Sequence, residues 1–148
     1  VQTRNGRSIK LDGINIKWLF NSAVAATGTS NIRVLIFIDW WSQGAVPAVT
    51  DLLVSTNITS FRAVDTISAK RFKVLYDKTF PLTPLSGSSP SQCLQIHLPC
   101  KHHLKYIGTT GVQGATSAGQ VYYCLFADQV ATNAVTSIFN SRSYYYDN

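Results

Sequence analysis

The 148-residue sequence contains no methionine, no glutamate and only seven acidic residues, all of them aspartate. Charged residues make up 14% of it, against about a quarter in an ordinary soluble domain. A lone domain covers its surface with more charge than this. Part of the surface is therefore expected to be covered by something else, most simply by copies of the same chain. A neutral surface rich in Ser, Thr and Asn is the alternative. Translation starts with methionine, so the natural N-terminus is expected to lie outside these residues. The three cysteines, Cys93, Cys100 and Cys124, are odd in number and irregular in spacing, which excludes a disulfide framework and predicts buried free thiols. No apolar run approaches the ~20 residues that cross a bilayer as a helix, no signal peptide is visible, and no membrane partner is expected.

The scarcity of acids also limits catalysis. No two aspartates lie within six residues of each other, so a hydrolytic carboxylate pair would have to be assembled from distant strands. Residues 108–114 are glycine-rich, but the Gly-Lys-Ser/Thr ending of a phosphate-binding loop is missing. There is no G-x-S-x-G elbow to present a nucleophilic serine. His97, His102 and His103 lie near Cys100, which invites a zinc reading. Zinc sites use paired ligands at C-x₂-C-like spacing, whereas His102 and His103 are adjacent and point to opposite faces of a strand. No catalytic residue, metal or cofactor is assigned, and the chain reads as a structural protein, not an enzyme.

What the chain has in plenty is alternation. Residues 71–80 place Phe72, Val74, Tyr76 and Phe80, with Leu82 beyond them, in one phase, and Lys73, Asp77 and Thr79, with Leu75, in the other, the pattern of a half-buried strand. Residues 8–20 alternate too, but the apolar phase flips at Asp12-Gly13, as a β-bulge would make it, or a break between two strands. Residues 32–40 are apolar on both faces, which fits a strand inside a sandwich or under a subunit contact. Further strands are expected at 60–62, 92–98, 104–107, 120–128 and 138–146. A short helix is expected at 48–54, with Pro47 at its first position. The chain reads as one all-β domain, an eight-stranded antiparallel sandwich or barrel with one short helix. Jelly roll, immunoglobulin-like sandwich and lipocalin-like barrel all remain open at this point, and the long connections lean toward the jelly roll.

Thirteen Lys and Arg give a net charge of +6, which favours anionic partners. Arg4, Arg7, Lys10 and Lys17 form one basic cluster. Lys70, Arg71, Lys73 and Lys78 form a second, and Lys101 and Lys105 flank the histidine pair. Such clusters bind phosphates through counterion release. A solvated, aggregation-blocking sheet edge is the plainer alternative. Trp40-Trp41 and Tyr144-Tyr145-Tyr146 put aromatics on both faces of their strands. The face not used by the core is expected to be a subunit interface, with base stacking as the rival role.

These residues together resemble the single-jelly-roll capsid proteins of small circular single-stranded DNA viruses that encode a Rep protein, and the satellite necrosis virus coat proteins of the same fold. The likeness rests on the strand ending Phe37-Ile38-Asp39, on Gly44, Pro47, Leu52 and Leu53 after it, and on residues 71–80. Gly108-Thr109-Thr110-Gly111 and Leu125-Phe126-Ala127-Asp128 complete it. It implies an eight-stranded jelly roll over residues 1–148 and a smallest-class (T=1) icosahedral shell of identical subunits. It also implies a basic N-terminal arm that binds the genome, of which residues 1–7 would be the remnant. Single-stranded DNA is expected in preference to RNA, with the virion as location and the host nucleus as a place of assembly. Arg4, Arg7, Lys10, Lys17, Arg71 and Lys73 are the expected nucleic-acid contacts. Trp40, Trp41, Tyr144, Tyr145 and Tyr146 are the expected subunit contacts. A monomeric lectin-like binding module is the main rival reading. A cupin-type enzyme would need histidine ligands that the adjacent pair does not supply.

Overall fold

The computed structural model describes residues 8–22, 29–42, 45–63, 66–83, 90–107, 116–128 and 135–147. Strands β1 (Ser8–Asn21) and β2 (Ser30–Asp39) are followed by two short helices, α1 (Val49–Leu52) and α2 (Thr66–Arg71). Then come β3 (Phe72–Leu82), β4 (Ser91–Tyr106), β5 (Thr116–Ala118), β6 (Gln120–Ala127) and β7 (Thr136–Asp147). All pairings are antiparallel. One sheet has the order β5-β4-β1-β7 and the other β3-β2-β6, which makes an all-β, jelly-roll-like sandwich.

The main core lies between the sheets. Ile14, Ile16, Trp18 and Phe20 of β1 meet Ile32, Val34 and Ile36 of β2, with Leu94 and Leu98 from β4. The phase flip at Asp12-Gly13 is a bulge within one strand. Register shifts there against both β4 and β7, so Leu11 before it and Ile14 after it reach the same core. Pro99 faces Gly13 at this irregularity, where a proline's missing N–H does least damage to the ladder. The two strands expected at 92–98 and 104–107 are consequently one continuous strand, β4.

One expectation fails at β3. Residues 72–82 do form a strand, but its large residues do not share a face. Ile36 pairs with Tyr76 and Phe37 with Val74, so Leu75 is an extra residue that re-aims the chain. Tyr76, Phe80 and Leu82 enter the main core, while Phe72 and Val74 turn to the outside of the three-stranded sheet. There they join Leu35 and Phe37 of β2 and Leu52 and Leu53 from the α1 segment in a second core. The two-faced apolarity of β2 is thus covered by the chain's own excursion over residues 45–63. α1 starts at Val49, not Pro47, because the Asp51 carboxylate accepts the Ala48 N–H and sets the cap at Ala48. The strand expected at 60–62 is an isolated bridge between Leu53 and Arg62. α2 and β5 have no counterpart in the sequence reading, being six and three residues long.

Burial also sets the chemistry of Tyr123 on β6. Burial pushes its phenol up to about 12, the charge of Cys100 adds to this, and a hydrogen bond with Ser141 opposes it. A phenol is neutral when protonated, so a raised folded-state value means that this stabilising term is intact below pH 10. It is lost as pH rises from 10 through 12, by at most roughly 2–3 kcal/mol. Alkaline unfolding followed by far-ultraviolet circular dichroism should therefore steepen between these values, and Tyr123→Phe should flatten it. An unchanged profile in Tyr123→Phe would contradict the assignment.

The sandwich has one guarded flank and one open one. On the guarded side, β3 carries Lys73, Asp77, Lys78 and Pro81, and β5 is very short. Charges, prolines and short lengths protect sheet edges from further pairing. On the other side, β6 pairs with β2 alone and β7 with β1 alone among the described residues. β6 has no charged residue. The two strands touch through Tyr123 and Phe139, whose ring centroids are 4.9 Å apart. Ile138, Phe139 and Tyr145 on β7 are exposed.

Candidate nucleic-acid interface

Sheet pairing sorts the basic residues into two groups. On the outer face of the four-stranded sheet, residues opposite one another form rows across three strands. His97, Asn15 and Arg142 make one row. Gln95, Lys17 and Asn140 lie on one side of it, and Pro99, Gly13 and Tyr144 on the other. Beyond the bulge, His103, Lys10 and Tyr146 make a further row, and Lys105 lies opposite Ser8. Lys10, Lys17, Lys105 and Arg142 are exposed, and none takes part in an ion pair found among the described residues. The acids of these strands are Asp12, in the bulge, and Asp147, the last residue of β7.

Arg33 of the three-stranded sheet and Arg71, the last residue of α2, are spent internally. Arg33 is buried and forks onto Asp77, Nε to Oδ1 at 2.8 Å and Nη2 to Oδ2 at 2.8 Å. Its Nη1 donates to the carbonyls of Ile58 and Ser60, which pins the 45–63 excursion to the sheet. Arg71 forks onto the fully buried Asp39 at 3.0 and 2.9 Å, stands 3.6 Å from Asp51 and lies over the Phe72 ring. Hydrogen bonding to their carboxylates holds both guanidiniums above their ordinary value, burial opposing and the partner's charge adding to it. The Asp39, Arg71 and Asp77 positions that carry much of the family likeness therefore lock β2 to β3.

The expected nucleic-acid contacts thus separate. Lys10 and Lys17 share the cationic face; Lys73 belongs to the other sheet and Arg71 to the end of α2 beside it, and Arg71 has its charge matched. Arg4 and Arg7 lie outside the described residues, as do residues 43–44 and 108–115 of the expected motifs. Arg142, Lys105, Asn15 and His97 join the face without having been assigned to it. The signal was present in the even spacing of Asn15 and Lys17, but only strand pairing brings β7 and β4 beside them.

The aromatic runs split too. Trp41 is 48% exposed, while Trp40 packs its edge against buried His102 with ring centroids 5.2 Å apart. Pairing puts Tyr144 and Tyr146 in the outer phase, beside the cations, and Tyr145 in the inner phase opposite Leu11. His102 is buried with Nε2 2.7 Å from the Gly119 carbonyl, whereas His103 is exposed. Gly119 is required there: its φ is +81° and a Cβ would sit 2.7 Å from the His103 carbonyl. Among the described residues no group of His, Cys or Asp is arranged to hold a metal ion. Cys100 is buried, Cys124 half-buried and Cys93, against expectation, exposed; all three are free. No described helix is long and apolar enough to cross a membrane.

A coat protein of Maize white line mosaic Satellite virus is 25% identical to this chain over 138 residues, covering 93% of the chain and 63% of the relative. The chain thus spans less than two thirds of that relative's length. Neither this relative nor the family match supports the circular-DNA-virus side of the resemblance. The family profile described as satellite tobacco necrosis virus coat protein matches residues 1–146, nearly the whole sequence, and the chain belongs to that family.

Proposed function

We propose that the chain is the shell domain of a viral coat protein that closes, in many copies, around a single-stranded genome. The observation that carries this is the segregation of charge. Among the described residues, Lys10, Lys17, Lys105 and Arg142 on the outer face of the four-stranded sheet take part in no ion pair, while Arg33 on the other sheet and Arg71 at the end of α2 are neutralised at home. Unpartnered cations on one face cost solubility nothing and attract phosphate without regard to sequence. In this reading the chain performs no chemistry. Lys10, Lys17 and Lys105 take the phosphates, with Arg4 and Arg7 as further phosphate contacts, and the sheet faces the shell interior. Lys73 contributes weakly, from the guarded edge.

The β6–β7 flank, with Trp41, is the self-association surface. Its uncharged edge and exposed Ile138, Phe139 and Tyr145 are what neighbouring coat-protein polypeptide would cover. Shells of identical subunits need only modest area per contact, because each contact is repeated by symmetry. A smallest-class icosahedral shell located in the virion suits a domain of this size. The matches lie on the satellite-virus side of the resemblance, the single-stranded RNA side, which favours RNA over the DNA expected from sequence. Assembly in the nucleus loses its motive with the DNA genome.

Purified protein should form uniform closed particles by electron microscopy, and nuclease digestion of the extracted nucleic acid should identify it as RNA. Replacing Lys10, Lys17 and Lys105 by Ala should lower the slope of log affinity against log salt for single strands by about 2, at roughly 0.7 per lost phosphate contact. A dispersed monomer at high concentration and moderate salt, or an unaltered slope, would defeat the reading.

A further inference from the structure

The centre of the cationic face holds a structured cleft of about 490 Å³, lined by Asn15, Lys17, Asn140, Ser141 and Arg142. Its volume is within the range of small-ligand sites, roughly 300–1,000 Å³. Asn15 also belongs to a connected polar array beside the cleft. The Asn15 side-chain Oδ1 lies 2.6 Å from His97 Nδ1, and its Nδ2 donates to the Tyr144 hydroxyl at 2.8 Å. With its amide engaged on both sides, Asn15 holds the two rings 6.5 Å apart at 60°. Gly13 makes room for this arrangement: a Cβ there would stand 2.9 Å from His97 Cε1. Tyr144 remains 41% exposed, so its ring is placed but not covered.

We infer that this cleft, with the Tyr144 ring beside it, is a nucleotide subsite for single-stranded nucleic acid: Tyr144 stacks on a base while Arg142 and Lys17 hold the adjacent phosphates. The inference rests on the packaging reading and adds to it a contact with the base. The spacing suits it. Neighbouring rows on one face of a strand are ~7 Å apart and neighbouring strands ~4.8 Å, so Tyr144, Arg142 and Lys17 step across the sheet at about the repeat of an extended polynucleotide. Exposed cations beside an oriented ring are the combination that sequence-tolerant single-strand binders use. Asn15 and His97 act as positioning residues. Tyr145, one residue on, has the opposite phase.

The test compares binding of fluorescein-labelled ten-nucleotide single strands with that of abasic strands of the same length and charge. Tyr144→Ser should weaken base-bearing strands roughly 5- to 150-fold, the range for losing one stacked base, with an unchanged salt slope and no effect on abasic strands. Tyr144→Phe should retain most of the affinity. Arg142→Gln should weaken both kinds of strand and lower the salt slope by about 0.7. Equal binding of base-bearing strands by Tyr144→Ser and wild type overturns the subsite while leaving phosphate packaging intact. Absence of binding by wild-type protein to either strand overturns both.

Discussion

Replacing Asp39 by Ala is expected to cost about 3 kcal/mol of stability, the largest loss foreseen for any single polar side chain here. Asp39 is wholly buried and accepts three hydrogen bonds, two from the Arg71 fork and one from the Trp41 backbone N–H at 2.9 Å. Removing one partner of a buried pair costs about 3–5 kcal/mol, because the other is left without its counter-charge. The lower end applies because the Arg71 side chain keeps 22% exposure and retains Asp51 nearby. Asp39→Asn keeps the acceptor for Trp41 and should cost less. Urea unfolding of the 148-residue chain reads the loss as a shift in midpoint at constant slope. If Arg71→Ala and Asp39→Ala each cost under ~1 kcal/mol, or prove additive in the double variant, the lock between β2 and β3 is not what holds this corner.

Phe37→Ala should be as damaging, at about 3–5 kcal/mol, the usual cost of emptying a buried phenylalanine site. The ring is 2% exposed, edge-on to Phe72 at 5.5 Å and stacked on Tyr122 at 5.6 Å, beneath Leu52 and Leu53. Phe37→Leu, closer in volume, should lose less, about 1.5 kcal/mol or under. The informative variable is protein concentration. Because the cover over Phe37 comes from the same chain, the loss should not vary with concentration. A loss that disappears in dilute solution would mean that a neighbouring copy, not residues 45–63, provides the cover.

These two positions show where reading a sequence succeeds and where it stops. Phe37 is apolar on a strand apolar on both faces, and the sequence left open whether a second sheet or a second subunit met its outer side. Asp39 and Arg71 are 32 residues apart; in one dimension Arg71 is simply a cation next to Lys70 and Lys73, and it was counted as a phosphate contact. Its charge is cancelled only because β3 folds against β2 in one register. Tyr144, Tyr145 and Tyr146 read as one aromatic run until pairing with β1 assigns the middle ring to one face and its neighbours to the other.

By itself the sequence determined the all-β class, the single apolar phase on each side of the Asp12-Gly13 bulge, the charge deficit and the excess of cations. All of these follow from local alternation and composition, which need no partner to be read. Only the tertiary structure decided that Leu75 is a bulge, that residues 45–63 roof the outer face of β2, and that Arg33 and Arg71 are the cations matched by carboxylates among the described residues. Those outcomes depend on the register between strands distant in the chain, and a slip of one residue would exchange every face.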